Sequence, residues 1–168
     1  ISPDVIQLVP SEDRETVKAL LNARGKVDLV IPRGSAALIR MVVDESSVPT
    51  IETGAGVCHV YIDEFADLAK AVPIIINSKV QRPSVCNAAE TLLVHTAIAD
   101  QFLPIALKAL HEAGVIMHCD LASLAVAKSA NIPASLATDE NFCTEYGTLE
   151  MNVAIVDSVD AASAHIAR

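Results

Sequence analysis

The sequence predicts an α/β fold built on a parallel sheet. Strand-like and helix-like segments alternate along it, the order that right-handed crossovers between parallel strands require. Hydrophobic residues make up 52% of the 168 residues, yet aromatics only 3%, with no Trp, so the core is aliphatic. Val and Ile suit buried strands, and Ala and Leu suit the helices that cover them. That length fits one domain, or one and a fraction.

The elements follow in order. Val5-Ile6-Gln7-Leu8-Val9 reads as a short buried strand stopped by Pro10. Ser11 is the expected N-cap of a helix to about Ala23, with Val17, Leu20 and Leu21 inward and Arg24-Gly25 as its stop. Residues 28–31 are the next expected strand, closed by Pro32. Gly34-Ser35 opens a second helix through Leu38, Met41 and Val42, and Pro49-Thr50-Ile51 is a third extended piece. The small residues Thr53-Gly54-Ala55-Gly56 mark a boundary or hinge, which divides the chain into 1–53 and 54–168. Beyond it a strand is expected over 57–62, then a helix from Asp63-Glu64 to about Ser78. Residues 83–86 form a turn or extended loop, followed by a strand over 91–95. Asp100 caps a helix that Gly114 ends; 115–118 is a strand, and Asp120 caps the next helix. Residues 131–141 are a polar loop, 152–156 a strand, and Asp160 opens the last helix.

The net charge of −9 argues against phosphate-backbone binding as the main task, so no nucleic-acid partner is expected. No apolar run is long enough to cross a bilayer, and no membrane partner is expected. The four cysteines form no CxxC, no zinc-ligand spacing and no disulfide framework, which suits a reducing cytosol and implies no metal site. The chain starts without Met at Ile1-Ser2-Pro3 and ends at Ile166-Ala167-Arg168 inside a helical pattern. A fragment of a longer polypeptide is therefore expected.

Pattern alone does not choose among the cysteines. Cys58 lies in an apolar strand, Cys119 at a strand end before Asp120, and Cys143 in a loop. Each reads more simply as an inert or surface thiol. Cys86 differs because it follows the turn Gln81-Arg82-Pro83-Ser84-Val85 and precedes Asn87-Ala88-Ala89. A thiol at such a junction can be exposed to a cleft with backbone N–H groups nearby, and pattern alone weighs a nucleophile and an inert thiol equally.

The segment Gln81-Arg82-Pro83-Ser84-Val85-Cys86-Asn87-Ala88-Ala89-Glu90-Thr91-Leu92-Leu93-Val94-His95 resembles the nucleophile segment of the glutamyl-phosphate reductases, within the aldehyde-dehydrogenase superfamily. Gly56-Val57-Cys58-His59-Val60-Tyr61-Ile62-Asp63 resembles a second hallmark of those reductases. Val27-Asp28-Leu29-Val30-Ile31-Pro32-Arg33-Gly34-Ser35 resembles the strand and Gly-Ser turn near the cofactor. The three matches keep their order over about 70 residues, and weaker similarity runs over nearly the whole chain.

The resemblance implies an aldehyde-dehydrogenase-like three-layer sandwich on a parallel sheet, incomplete here. Residues 1–53 would be the C-terminal part of the NADP-binding domain and 54–168 a truncated catalytic domain. The implied partners are NADP(H) and the small molecule L-glutamyl 5-phosphate, in a cytoplasmic full-length protein that is a homo-oligomer. Cys86 would be the nucleophile and its backbone N–H an oxyanion donor. Asn87 is either a second donor or a turn residue bonding its own backbone. Arg33, Gly34 and Ser35 are candidates for the nucleotide phosphate, since a helix N-terminus offers N–H groups and a positive dipole end; Gly-Ser also simply starts helices. Glu145-Tyr146 resembles the acidic contact to the nicotinamide ribose, with an exposed loop acid as the alternative. Glu52 stands 34 residues before Cys86, a separation like that of the general base in hydrolytic aldehyde dehydrogenases. Reductases need no such base, so Glu52 is either a base or a solvated strand-end carboxylate.

Overall fold

The computed structural model describes residues 2–10, 13–52, 54 and 56–167. The chain divides into two compact units, 1–55 and 56–168. The first holds a 3₁₀ turn (Pro3–Val5), helix α1 (Arg14–Leu21) and helix α2 (Ala36–Glu45). Asp13 caps α1 by accepting the Glu15 N–H at 3.0 Å, and Ser35 caps α2 by accepting the Leu38 N–H at 3.3 Å. Buried Leu21, Val42 and Val48 are its small core.

The expected strand at 5–9 is not formed. Ile6 is 88% and Leu8 91% exposed, and these residues have no ladder partner among the described residues. An apolar run becomes a strand only where a neighbour takes its backbone groups. Residues 28–31 likewise form no strand: Val30 and Thr50 make a single parallel bridge. Ser11, the expected cap of the first helix, lies outside the described residues, and α1 begins after Asp13.

The second unit is built on five strands: β1 (Cys58–Ile62), β2 (Ala89–His95), β3 (Ile116–Cys119), β4 (Ser135–Leu136) and β5 (Glu150–Val156). Their order is β1-β2-β5-β3-β4, and every neighbouring pair is parallel. Helices α3 (Leu68–Val80), α4 (Thr96–Glu112) and α5 (Leu121–Ser129) cover one face, where Ile75, Leu92, Val94, Phe102, Leu107 and Val153 pack together. The short α6 (Asp139–Phe142) and then α7 (Val159–Ile166) follow. Side chains alternate along a strand, so Leu93 and Ala154 face the other way, onto Ala162 of α7. The result is a three-layer α/β unit, with β2 buried along its whole length. Each fully buried Leu stabilises it by about 1.5–3 kcal/mol.

Three helix starts differ from expectation. Helix α3 begins after Asp67, because Asp63 instead accepts the Phe65 N–H and the Tyr61 hydroxyl. Helix α4 follows β2 directly, capped by His95 Nδ1 on the Ala97 N–H at 3.1 Å, which leaves Asp100 one turn inside. Helix α7 is capped by Ser158, with Asp160 in its first turn. The stretch expected as a loop, 131–141, also contains β4 and most of α6.

Candidate active site

Cys86 sits in a double turn at the amino end of β2. The Arg82 carbonyl accepts the Val85 N–H at 3.3 Å, and the Val85 carbonyl accepts the Ala88 N–H at 2.9 Å. Cys86 and Asn87 are the two central residues of the second turn. Such a turn bonds its ends and leaves its central amides unused. Among the described residues neither the Cys86 nor the Asn87 N–H has an acceptor. Both residues are exposed, whereas Ala88 and Ala89 are buried as the strand begins.

Gly56 lies against this turn. A Cβ at Gly56 would stand 2.8 Å from the Cys86 carbonyl oxygen, closer than van der Waals contact permits. The half-buried Cys58 thiol donates to the same carbonyl at 3.4 Å. The Gly56 N–H donates to one oxygen of Glu145 at 3.1 Å, and the other oxygen has no partner among the described residues. Cys86, Asn87 and Glu145 thus share one neighbourhood, with Gly56 between them.

The loop carrying Glu145 is anchored by its neighbour. The Tyr146 hydroxyl donates to Asn152 Oδ1 at 2.8 Å and accepts from Asn141 Nδ2 at 2.9 Å. Asn152, on β5, returns a bond to the Asn141 carbonyl at 2.8 Å. The Tyr146 ring stacks on His118 at 5.4 Å, and burial pushes its phenol up. Nearby, Lys79 and Glu90 form a buried ion pair at 2.7 Å, with side chains 0% and 1% exposed. The second Glu90 oxygen accepts the Gly147 N–H at 3.3 Å.

Gly56, Cys58, Lys79 and Glu90 were not expected as site residues. Two signals were present. Lys79 continues the buried stripe Ala71, Ile75, Lys79 at i, i+4, i+8, and Glu90 is an acid inside an apolar strand.

The remaining expected residues lie in the first unit. Arg33, Gly34 and Ser35 are exposed at the head of α2, and Glu52 is exposed. Of the other thiols, Cys143 is exposed and Cys119 is fully buried, its thiol pushed up to about 11 by burial. His59 donates from Nδ1 to the Val57 carbonyl at 2.7 Å, and burial holds its ring below the usual 6.5. Among the described residues no group of three His, Cys, Asp or Glu side chains could hold a metal ion.

A cavity of about 490 Å³ opens at the opposite, carboxyl end of the sheet, lined by Thr96, Asp120, Phe142, Asp157 and His165 among others. Cys86 is not part of it. The Cys86 turn belongs to the amino end of β2.

Residues 1–127 match the model of the aldehyde dehydrogenase family. The chain belongs to the aldehyde dehydrogenase family. Within that family it is similar to the gamma-glutamyl phosphate reductase of Kineococcus radiotolerans, 56% identical over 98% of this chain and 38% of that protein. The gamma-glutamyl phosphate reductase of Thermobifida fusca is also 56% identical, over 97% of this chain and 38% of its own length. The chain therefore spans under two-fifths of the curated relatives it matches. The crystal structure of the gamma-glutamyl phosphate reductase of Thermotoga maritima superposes with a TM-score of 0.86 at 42% identity, over 95% of this chain and 37% of that one. The propionaldehyde dehydrogenase of Rhodopseudomonas palustris, at 20% identity and a TM-score of 0.61, shares the fold. The three-layer parallel sheet is thus an aldehyde-dehydrogenase-family architecture.

Proposed function

We propose that this chain carries the nucleophile and part of the cofactor site of an acyl-phosphate reductase. The reaction is NADPH-dependent conversion of L-glutamyl 5-phosphate to L-glutamate 5-semialdehyde and phosphate, a step of proline biosynthesis. The carrying observation is the Cys86 turn: an exposed thiol beside two N–H groups that have no acceptor among the described residues, in a chain 56% identical to gamma-glutamyl phosphate reductases. In this reading 1–53 is the end of the NADP-binding domain and 54–168 most of the catalytic domain. A cytoplasmic, homo-oligomeric full-length enzyme completes it, on the strength of family resemblance alone.

The Cys86 thiolate attacks the acyl carbon, and phosphate leaves with the electron pair of its C–O bond. A thioester on Cys86 results. Sulfur suits both ends of the reaction, being a strong nucleophile and a good leaving group. Each tetrahedral intermediate places an oxyanion beside Cys86's own N–H, with the Asn87 N–H next to it. A donor so aimed is worth about 3–4 kcal/mol.

Each unit, taken by itself, carries residues suited to part of a dinucleotide. The head of α2 at Arg33, Gly34 and Ser35 offers N–H groups and a positive dipole end to phosphate. One Glu145 carboxylate oxygen has no partner among the described residues and can accept from a ribose hydroxyl. The cofactor, when bound, supplies the hydride that reduces the thioester.

The deciding experiment uses the full-length enzyme with glutamate semialdehyde and NADP⁺, following NADPH while inorganic phosphate is titrated. Turnover that requires phosphate and disappears in Cys86→Ala is expected. A Cys86-dependent rate indifferent to phosphate would replace this reading with a hydrolytic dehydrogenase using Glu52. Glu52→Gln is expected to lower any hydrolytic side reaction and spare phosphate-dependent turnover; loss of both together would remove the base role.

A further inference from the structure

The buried Lys79–Glu90 pair is poorly explained by stability. Apolar side chains of similar volume would serve a core as well, because desolvating both charges offsets their attraction. What a carboxylate offers at position 90 is two oxygens. One meets Lys79 Nζ, in the last turn of α3, at 2.7 Å. The other accepts the N–H of Gly147, 57 residues further on, at 3.3 Å. Glu90 is the second residue of β2, four positions after Cys86. Gly147 comes two positions after Glu145, at φ +63°, where glycine turns without strain. One carboxylate therefore ties the nucleophile's strand to the point where the Glu145 loop reverses. The loop ties back: Glu145 accepts the Gly56 N–H, and Gly56 packs on the Cys86 carbonyl. Cys86, Glu90, Gly147, Glu145 and Gly56 form a closed circuit.

We propose that Glu90, held by Lys79, is a positioning residue that sets the Glu145 loop against the Cys86 turn, and so tunes both cofactor affinity and thiol reactivity. This deepens the proposed function and rests on its assignment of Cys86 and Glu145.

The test uses two double variants of the full-length enzyme, Lys79→Met with Glu90→Gln, and Lys79→Met with Glu90→Leu. Both remove the two charges together, so neither strands a lone buried ion. Gln keeps an oxygen for the Gly147 N–H; Leu does not. NADPH affinity is read by fluorescence titration and Cys86 reactivity by iodoacetamide alkylation, beside the unfolding midpoint. The Gln variant is expected to bind NADPH within about threefold of wild type, and the Leu variant about tenfold more weakly with an altered alkylation rate, at similar midpoints. A Leu variant that binds and reacts like wild type overturns the proposal, as do two variants weakened equally. If either variant fails to fold, amide exchange in the wild type decides. Slow exchange at Gly147 and Gly56 supports the circuit, and exchange at unprotected rates overturns it. Failure of the parent reading looks different: the wild type would turn over without phosphate, while amide protection and the variants' effect on alkylation would stand.

Discussion

In the proposed reaction the backbone N–H of Cys86 is the donor nearest an oxyanion on the acyl carbon bonded to its sulfur. Among the described residues that amide has no acceptor, because Cys86 stands at the centre of a turn. The other thiols have different surroundings, and this makes a chemical prediction. Iodoacetamide near neutral pH is expected to label Cys86 first in the native full-length protein. Cys119, with its thiol pushed up to about 11, is expected to label only after unfolding. Peptide mass spectrometry reads both, and native labelling of Cys119 would contradict its burial. Gly56 gives a second test. In Gly56→Ala the new methyl meets backbone, the Cys86 carbonyl, and not a flexible side chain that could move aside. The turn must shift, and a shift near 1 Å lowers kcat about a hundredfold. Steady-state kinetics on the full-length enzyme checks this; an unchanged kcat would show the turn tolerates displacement.

At the scale of elements, Asp120 joins three. It caps α5 by accepting the Ser123 N–H at 2.7 Å and hydroxyl at 2.6 Å, and its other oxygen accepts the Ile155 N–H of β5 at 3.0 Å. Asp120→Ala removes the cap and leaves a strand amide without its acceptor, a cost of about 2–3 kcal/mol. Urea unfolding measures it, and Asp120→Asn is expected to recover part of the loss. This helix start was legible, because Asp120 is the only capping side chain between strand and helix. The starts of α3, α4 and α7 were not. Asp63 and Asp67, His95 and Asp100, and Ser158 and Asp160 each offer two caps within a few residues. Which one acts depends on where the preceding strand leaves the sheet, a tertiary fact. The same limit explains residues 5–9, whose apolar pattern suits a strand but cannot supply a neighbour. In the site, Cys86 stood out through its turn and its motif. Glu145 was visible only through resemblance, since its bond to Gly56 spans 89 positions.

At the scale of the whole molecule, two groups predict the response to acid. Burial holds the His59 ring below its usual 6.5. Unfolding frees the ring to bind a proton near 6.5, so below that pH the unfolded state takes up more protons than the folded one. Its contribution is complete above pH 6.5 and declines as pH falls toward the lowered value. Glu150 acts further down: the bond from His118, with one from Thr148, holds its carboxyl below the usual 4.5. That contribution is present above pH 4.5 and is lost as pH falls through the lowered value. Unfolding midpoints followed from pH 7 to well below 4 are expected to drop in these two stages. His59→Phe should flatten the upper stage, and a slope unchanged in that variant would assign it elsewhere.

The 89-residue reach from Gly56 to Glu145 also has a meaning in time. On the ribosome Cys86 is made 59 residues before Glu145, an interval of about 3–12 s at ordinary elongation rates. Through that interval the Cys86 turn has been made but the contact from Gly56 to Glu145 cannot close, because the central strand β5 that anchors the Glu145 loop does not yet exist. The surroundings of Cys86 are thus completed only by a strand made well after it, and a nascent chain stalled before Glu150 would lack the strand that anchors them.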